Sequence, residues 1–332
     1  MPLAAPIRTL AAALTLGLVI TGCTSAGAPR GSAGATPEAT PSVTAAAGCD
    51  TGTFPGWPTP GQVTTSGIIP VLASSEKLAG QSRLLFVLVD DKNRTIADES
   101  LEVEIGFFDL CADPATATEV LTPSFEWGIV GQHAFYVATP ELAQPGPWGA
   151  AIAVRDPSTG KTTGAKLQFS VSAGGAGPRV GDPAPAVKTP TLADVGGDVR
   201  RLSTDTDADP AFYETSLEAA LAAGEPFLLA FVTPGFCKSA QCGPTMDVVK
   251  AAVKTAPIRV VAVEPYKLVY QDGRLKPVLE DDSFVPVEAA NVYGIPTEPW
   301  LFVVGADGVI TSSFEAVVGQ QELVDAIRAV SK

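Results

Sequence analysis

Residues 226–233, PFLLAFVT, form an unbroken apolar run, and a second run, IRVVAVEPY, follows at 258–266. A strand with one wet face alternates apolar and polar residues, whereas a strand without alternation is covered on both sides. The segment between the runs, MDVVKAAVKTA, has helical spacing, as does PAFYETSLEAALAAG at 210–224, where Gly224 is a helix stop. VEAANVYG reads as a short helix and GQQELVDAIRAVSK as an amphipathic terminal one. WLFVVGADGVITSSFEAV reads as two strands joined at Ala306-Asp307-Gly308. Buried strands alternating with helices predict an α/β sheet with helices on both faces over residues 180–332.

The chain ahead of it has a different grammar. RLLFVLVDD, LEVEIGFFDL, PWGAAIAVRD and AKLQFSVS are short runs rich in β-branched and aromatic residues, separated by DDKN, QPGP and DPSTGKT. Within LEVEIGF, apolar and acidic residues alternate as in a half-buried strand. Residues 50–173 are therefore expected to form a β-sandwich, similar in pattern to the immunoglobulin-like domains of many bacterial exported proteins. A Gly-rich linker at 174–179 divides the two regions. The 332 residues suit about two domains, and 46% hydrophobic residues supply a core for each.

The formal net charge of -14, from 36 acidic and 22 basic residues, argues against nucleic acid, whose binding needs basic patches that displace counterions. It argues equally against electrostatic adhesion to anionic lipid. Residues 1–22 read as a signal segment: Arg8, then an apolar run from Leu10 to Ile20 that is short for a membrane span. Ile20-Thr21-Gly22-Cys23 resembles the lipobox of bacterial lipoproteins, which implies cleavage before Cys23 and a lipid on its sulfur. Residues 23–49, small, polar and Pro-containing, are expected to be a flexible tether. The expected location is the outer face of the cell membrane, held through Cys23.

Of five cysteines, a lipidated Cys23 leaves Cys49, Cys111, Cys237 and Cys242. Four cysteines allow three pairings. The domain division favours a structural staple between Cys49 and Cys111, and a second pair between Cys237 and Cys242.

Three local motifs then resemble the thioredoxin-like superfamily, in particular membrane-anchored thiol-disulfide oxidoreductases. Val180-Gly181-Asp182-Pro183-Ala184-Pro185 is similar to the opening motif of that group. FVTPGFC (231–237) resembles the strand leading to its active site, with Phe236 before the first cysteine. Tyr293-Gly294-Ile295-Pro296-Thr297-Glu298-Pro299 resembles the segment carrying its cis-proline, which falls on Pro299. The resemblance covers residues 180–332. It implies a dithiol of Cys237 and Cys242, with Phe236, Glu298 and Pro299 facing substrate. The partners it implies are protein thiols or disulfides of the cell envelope. It implies no cofactor.

Two departures bear on mechanism. The spacing is C-x4-C, and residues five apart in a regular helix are separated by about 7.5 Å of rise, beyond the ~7 Å a disulfide spans. One register starts the helix near Gly243, with Pro244 in its first turn and Cys237 in the preceding loop. The other starts it at Cys237 and makes Pro244 a kink; the first is favoured. Measured from the upstream strand, Cys237 takes the attacking position; measured from CGP, Cys242 does, with Thr245 in place of its partner, and the first assignment, with Cys237 the more exposed sulfur and Cys242 its resolving partner, is favoured. A helix N-terminus, aided by Lys238, would favour the thiolate. The second departure is Glu298, whose carboxylate would either oppose the thiolate, accept a proton from the second thiol, or be solvated. Solvation is favoured.

Other chemistries have less support. His133 is the sole histidine and lies in the β region, so a copper or zinc site would lack its third ligand and no Ser-His-Asp set is feasible; no metal is expected. Peroxiredoxins place Thr or Ser three residues before the attacking cysteine, where this chain has Pro234. The remaining alternative is a non-enzymatic surface lipoprotein whose two domains are binding modules with structural disulfides.

Overall fold

The computed structural model describes Cys49 and residues 52–331. The expected signal segment, the lipid site Cys23 and the tether lie outside the described residues, apart from Cys49 at the tether's end. The protein is mostly β-sheet. Besides a two-residue pair, Gly80–Gln81 with Glu141–Leu142, its strands in the first half are β1 (Val63–Thr65), β2 (Ile69–Leu72), β3 (Leu84–Val89), β4 (Glu102–Asp109), β5 (Glu119–Leu121), β6 (Ser124–Ile129), β7 (His133–Ala138), β8 (Gly146–Arg155) and β9 (Thr162–Val171). They form two antiparallel sheets in the orders β1-β9-β8-β4-β5 and β2-β3-β7-β6.

The two sheets share one core, which makes this half a β-sandwich. Leu84, Phe86 and Leu88 of β3 meet Val103, Ile105 and Phe107 of β4 there, with Trp148 and Ile152 from β8. The opposite face of β3 is also covered. Leu85, with Phe135 and Val137 of β7, packs on Val317 from the second half of the chain. That double burial is why RLLFVLV does not alternate. Cys49 and Cys111 are disulfide-bonded, and Phe54, Trp57 and Leu110 pack around them. The staple ties the start of the described chain to the end of β4. His133 opens β7 and is exposed.

The second half carries helices α1 (Leu217–Ala223), α2 (Cys242–Thr255), α3 (Glu288–Val292) and α4 (Gln320–Val330). Its strands are β10 (Phe227–Phe231), β11 (Arg259–Val263), β12 (Trp300–Val304) and β13 (Ile310–Glu315), in the order β11-β10-β12-β13. β10 and β11 run parallel; the other pairs are antiparallel. The run PFLLAFVT distributes its residues between two cores. Leu228, Ala230 and Val232 face α2 and α4 through Met246, Val249, Leu323 and Ile327. Phe227, Leu229 and Phe231 face α1 and α3 through Leu217, Ala220, Ala289 and Ala290. Each such large apolar side chain contributes about 1.5–3 kcal/mol on burial. Ser216 caps α1, its hydroxyl accepting the Ala219 N–H, and Gly224 ends the helix in the left-handed conformation.

The two halves are joined by polar contacts as well as by Val317. The Arg83 guanidinium donates to both oxygens of Glu322 at 2.9 Å and to the Val317 carbonyl at 2.8 Å. The Ser75 N–H donates to Glu315, whose carboxylate also accepts the Thr297 hydroxyl at 3.0 Å. Burial raises the Glu315 pKa. The linker is seated on this frame: the Ala176 N–H donates to Glu76 at 2.9 Å, and Gly177 abuts the Tyr293 carbonyl. None of the helices among the described residues is long and apolar enough to cross a membrane.

Candidate functional site

β10 delivers the chain to a loop, residues 232–241, that ends at the first turn of α2. The Phe236 N–H donates to the Thr233 carbonyl, and the Gly235 N–H to the Thr204 hydroxyl at 2.9 Å. A Cβ on Gly235 would lie 2.8 Å from Thr204, so the close approach requires glycine. Ala240 turns the chain through a positive φ of 59°. The helix begins at Cys242 with Pro244 third, so the late-start register is the one observed.

That start sets the geometry of the thiols. Cys237 is half-buried in the loop, and its sulfur accepts the backbone N–H of Cys242 at 3.2 Å, one of the amides a helix leaves unpaired at its first turn. Ser239 Oγ lies 3.3 Å from the same sulfur. Cys242 is fully buried against the α2 core. Both thiols are free, so of the two expected pairs only Cys49–Cys111 is bonded in this structure. A hydrogen bond from the Cys242 thiol, then the Ser239 hydroxyl and the Cys242 amide, lower the Cys237 pKa to about 6, against desolvation and the nearby Glu298 charge. The same bond to Cys237, with burial, pushes the Cys242 thiol far up. The pair is therefore asymmetric, with Cys237 held toward the thiolate and Cys242 toward the thiol.

Lys238 contributes less than its charge suggests. It is exposed, and its ammonium lies over the Phe284 ring at 5.3 Å. Thr245 serves as a fastener: it is buried, and its hydroxyl donates to the Ala316 carbonyl at 3.2 Å.

Glu298 corrects the sequence expectation. Its side chain is buried at 4% exposure, not solvated, because a tyrosine and a backbone amide take the place of water. Oε2 accepts the Tyr266 hydroxyl at 2.6 Å and Oε1 accepts the Lys238 N–H at 3.0 Å. Its carbonyl accepts the Ser239 hydroxyl at 2.8 Å. The Glu298–Pro299 bond is cis, and Pro299 is buried beside the cysteine loop. Glu298 therefore fastens the proline segment to the loop between the cysteines, a substrate-facing role for its backbone at most. Phe236 is half-buried, 5.9 Å from the Phe284 ring, which in turn packs at 4.9 Å on Tyr266.

Three residues of this neighbourhood escaped the sequence reading. Tyr266 and Glu264 close the apolar run IRVVAVEPY, and a carboxylate inside such a run was the available signal. Phe284 ends the second of two small ribbons, Leu268–Gln271 with Arg274–Pro277 and Leu279–Glu280 with Ser283–Phe284, in a stretch to which the sequence assigns no element. The Asp272-Gly273 turn marked the first ribbon. Glu264 accepts the Thr204 N–H and hydroxyl, both at 2.6 Å. Burial raises its carboxyl to about 7. The Thr233 hydroxyl and the second Glu264 oxygen are buried without a hydrogen-bond partner among the described residues.

No protein-family model and no curated protein matches this chain. Among solved structures, the soluble domain of PmoD from Methylocystis sp. ATCC 49242 (Rockwell) aligns with 32% of this chain and 89% of its own, at 13% identity and a TM-score of 0.20. The PKD domain of the human VPS10 domain-containing receptor SorCS2 aligns with 34% and 78%, at 13% identity and a TM-score of 0.17. Neither likeness carries an argument about fold or activity.

Proposed function

We propose that this protein is a lipid-anchored, extracytoplasmic thiol-disulfide oxidoreductase, with residues 180–332 as a thioredoxin-like domain and residues 50–173 as an immunoglobulin-like sandwich beside it. The observation that carries the reading is the Cys237 sulfur accepting the first amide of α2 while Cys242 lies buried behind it. An asymmetric pair of this kind suits two-step exchange.

The Cys237 thiolate attacks one sulfur of a substrate disulfide. The substrate S–S bond breaks, its second sulfur leaves as a thiolate, and a mixed disulfide joins Cys237 to the first. Cys242 then gives its proton to the substrate thiolate that has just left, and attacks Cys237. The mixed disulfide breaks, the first substrate sulfur leaves as a thiolate, and a Cys237–Cys242 disulfide remains. Two electrons pass from the dithiol to the substrate; run backwards, the same steps oxidise a substrate dithiol. The partners are protein thiols or disulfides of the cell envelope, reached from an anchor on Cys23.

Trapping tests this reading. Cys242→Ser should accumulate mixed disulfides through Cys237 with cell-envelope proteins, and Cys237→Ser should not. If neither variant traps a partner and the oxidised pair resists mild reductant, the enzyme reading fails and a binding role for both domains stands in its place.

A further inference from the structure

A cavity that the dithiol chemistry does not use counts Tyr266 and Glu264 among its lining residues. It measures about 440 Å3 and opens between the edge strand β11, the 268–278 ribbon and the 188–202 segment. Its walls are apolar, formed by Leu202, Val263, Leu268, Leu275, Val278 and Val287. Its rim is cationic: Lys188, Arg201 and Lys267 line it, with Glu288 the exposed carboxylate among them. Among the described residues, none of these three cations takes part in an ion pair. Arg201 is held beside the opening by stacking over Tyr270 at 5.4 Å.

The juxtaposition is selective. In a chain of net charge -14, three cations share one rim around an apolar interior, with Asp194 and Asp198 near enough to feel Lys188 and Arg201 but making no direct ion pair with them. A pocket of this size belongs to the range of about 300–1,000 Å3 that takes small organic ligands. A neutral apolar ligand would use the walls and ignore the rim, and a cation would be repelled. We infer that the cavity binds an amphipathic anion, with its apolar body against the ribbon and β11 and its acidic head at Lys188, Arg201 and Lys267. The inference is independent of the dithiol, although Tyr266 and Glu264 are shared walls.

Decanoate is the probe, titrated calorimetrically into the full chain, with decanol as the uncharged comparison. Saturable binding of one decanoate per chain is expected, weakened by salt and at least about tenfold tighter than decanol. Arg201→Gln with Lys267→Gln should weaken decanoate about tenfold, since each exposed ion contact is worth a few-fold. Val278→Trp, filling the cavity from the ribbon, should abolish binding. If Val278→Trp fails to fold, the exposed Arg201 and Lys267 pair decides the matter. The inference is overturned by no saturable binding up to about 1 mM, by decanol binding as tightly as decanoate, or by indifference to the charge substitutions.

Discussion

Replacing Cys242 by Ala removes the largest single influence on the Cys237 thiolate. The Cys242 thiol heads the groups that lower Cys237 to about 6, ahead of Ser239 and the Cys242 amide. The amide survives the substitution because it belongs to the backbone, so the pKa should rise without returning to the ordinary value of 9.0. A hydrogen bond to a charged group is worth about 1.5–3 kcal/mol, and one pKa unit corresponds to about 1.4 kcal/mol. The expected rise is therefore about 1–2 units. Cys242→Ser keeps a donor at the same place and should shift the value less. The assay is the rate of iodoacetamide alkylation of the reduced protein against pH, read by mass at Cys237. The wild-type rate should rise through a midpoint near pH 6, since the reactive thiolate is present above the folded pKa. A wild-type midpoint near 9, or one that Cys242→Ala leaves unmoved, would refute the assignment of Cys237 as the activated sulfur and of Cys242 as its donor.

Glu264→Gln should change the pH dependence of stability. Its carboxyl is raised from 4.5 to about 7, so between those values the folded state binds more protons than the unfolded one, and stability falls as pH rises. The substitution removes that slope, on the order of 3 kcal/mol across the window, which urea melts at several pH values would detect; equal slopes would count against it. Leu228→Ala deletes a fully buried side chain of β10 and should cost about 2–5 kcal/mol in urea unfolding. Gly128→Ala would put a Cβ 2.5 Å from Gln241 Oε1 and 2.6 Å from the Phe135 ring, and should cost about 1–3 kcal/mol by crowding β6 against the start of α2; an unchanged melting midpoint would show that this contact yields freely.

Residues whose role is set by local pattern were legible in the sequence. PFLLAFVT announced a strand buried on both faces, Pro244 marked the first turn of α2, and the separation of the cysteines by region anticipated the Cys49–Cys111 bond. Glu298 was misread because solvation is the default state of a carboxylate, and its partners come from residues 32 and 60 positions away. Non-local pairings of this kind leave no period. RLLFVLV carried a signal that was passed over: its lack of alternation meant a second covering layer, which Val317 supplies.

That covering layer changes what the sandwich does for the site. Ser75 and Thr297 share the Glu315 carboxylate, so the segment before Glu298 is anchored partly by the sandwich. Gln241, the last residue before α2, fits against Gly128 of β6, and Thr245 is tied to Ala316, the residue preceding Val317. Both ends of the constellation around Cys237 are thus fastened to elements that rest on the sandwich. A sulfur whose pKa depends on hydrogen bonds of 3.2 and 3.3 Å is sensitive to small movements of the loop that carries it. A sandwich that only held the dithiol away from the membrane would need none of these contacts. The geometry instead makes it a support for the cysteine loop, so loosening Gly128 or Glu315 should disturb Cys237 reactivity although neither residue touches the sulfur.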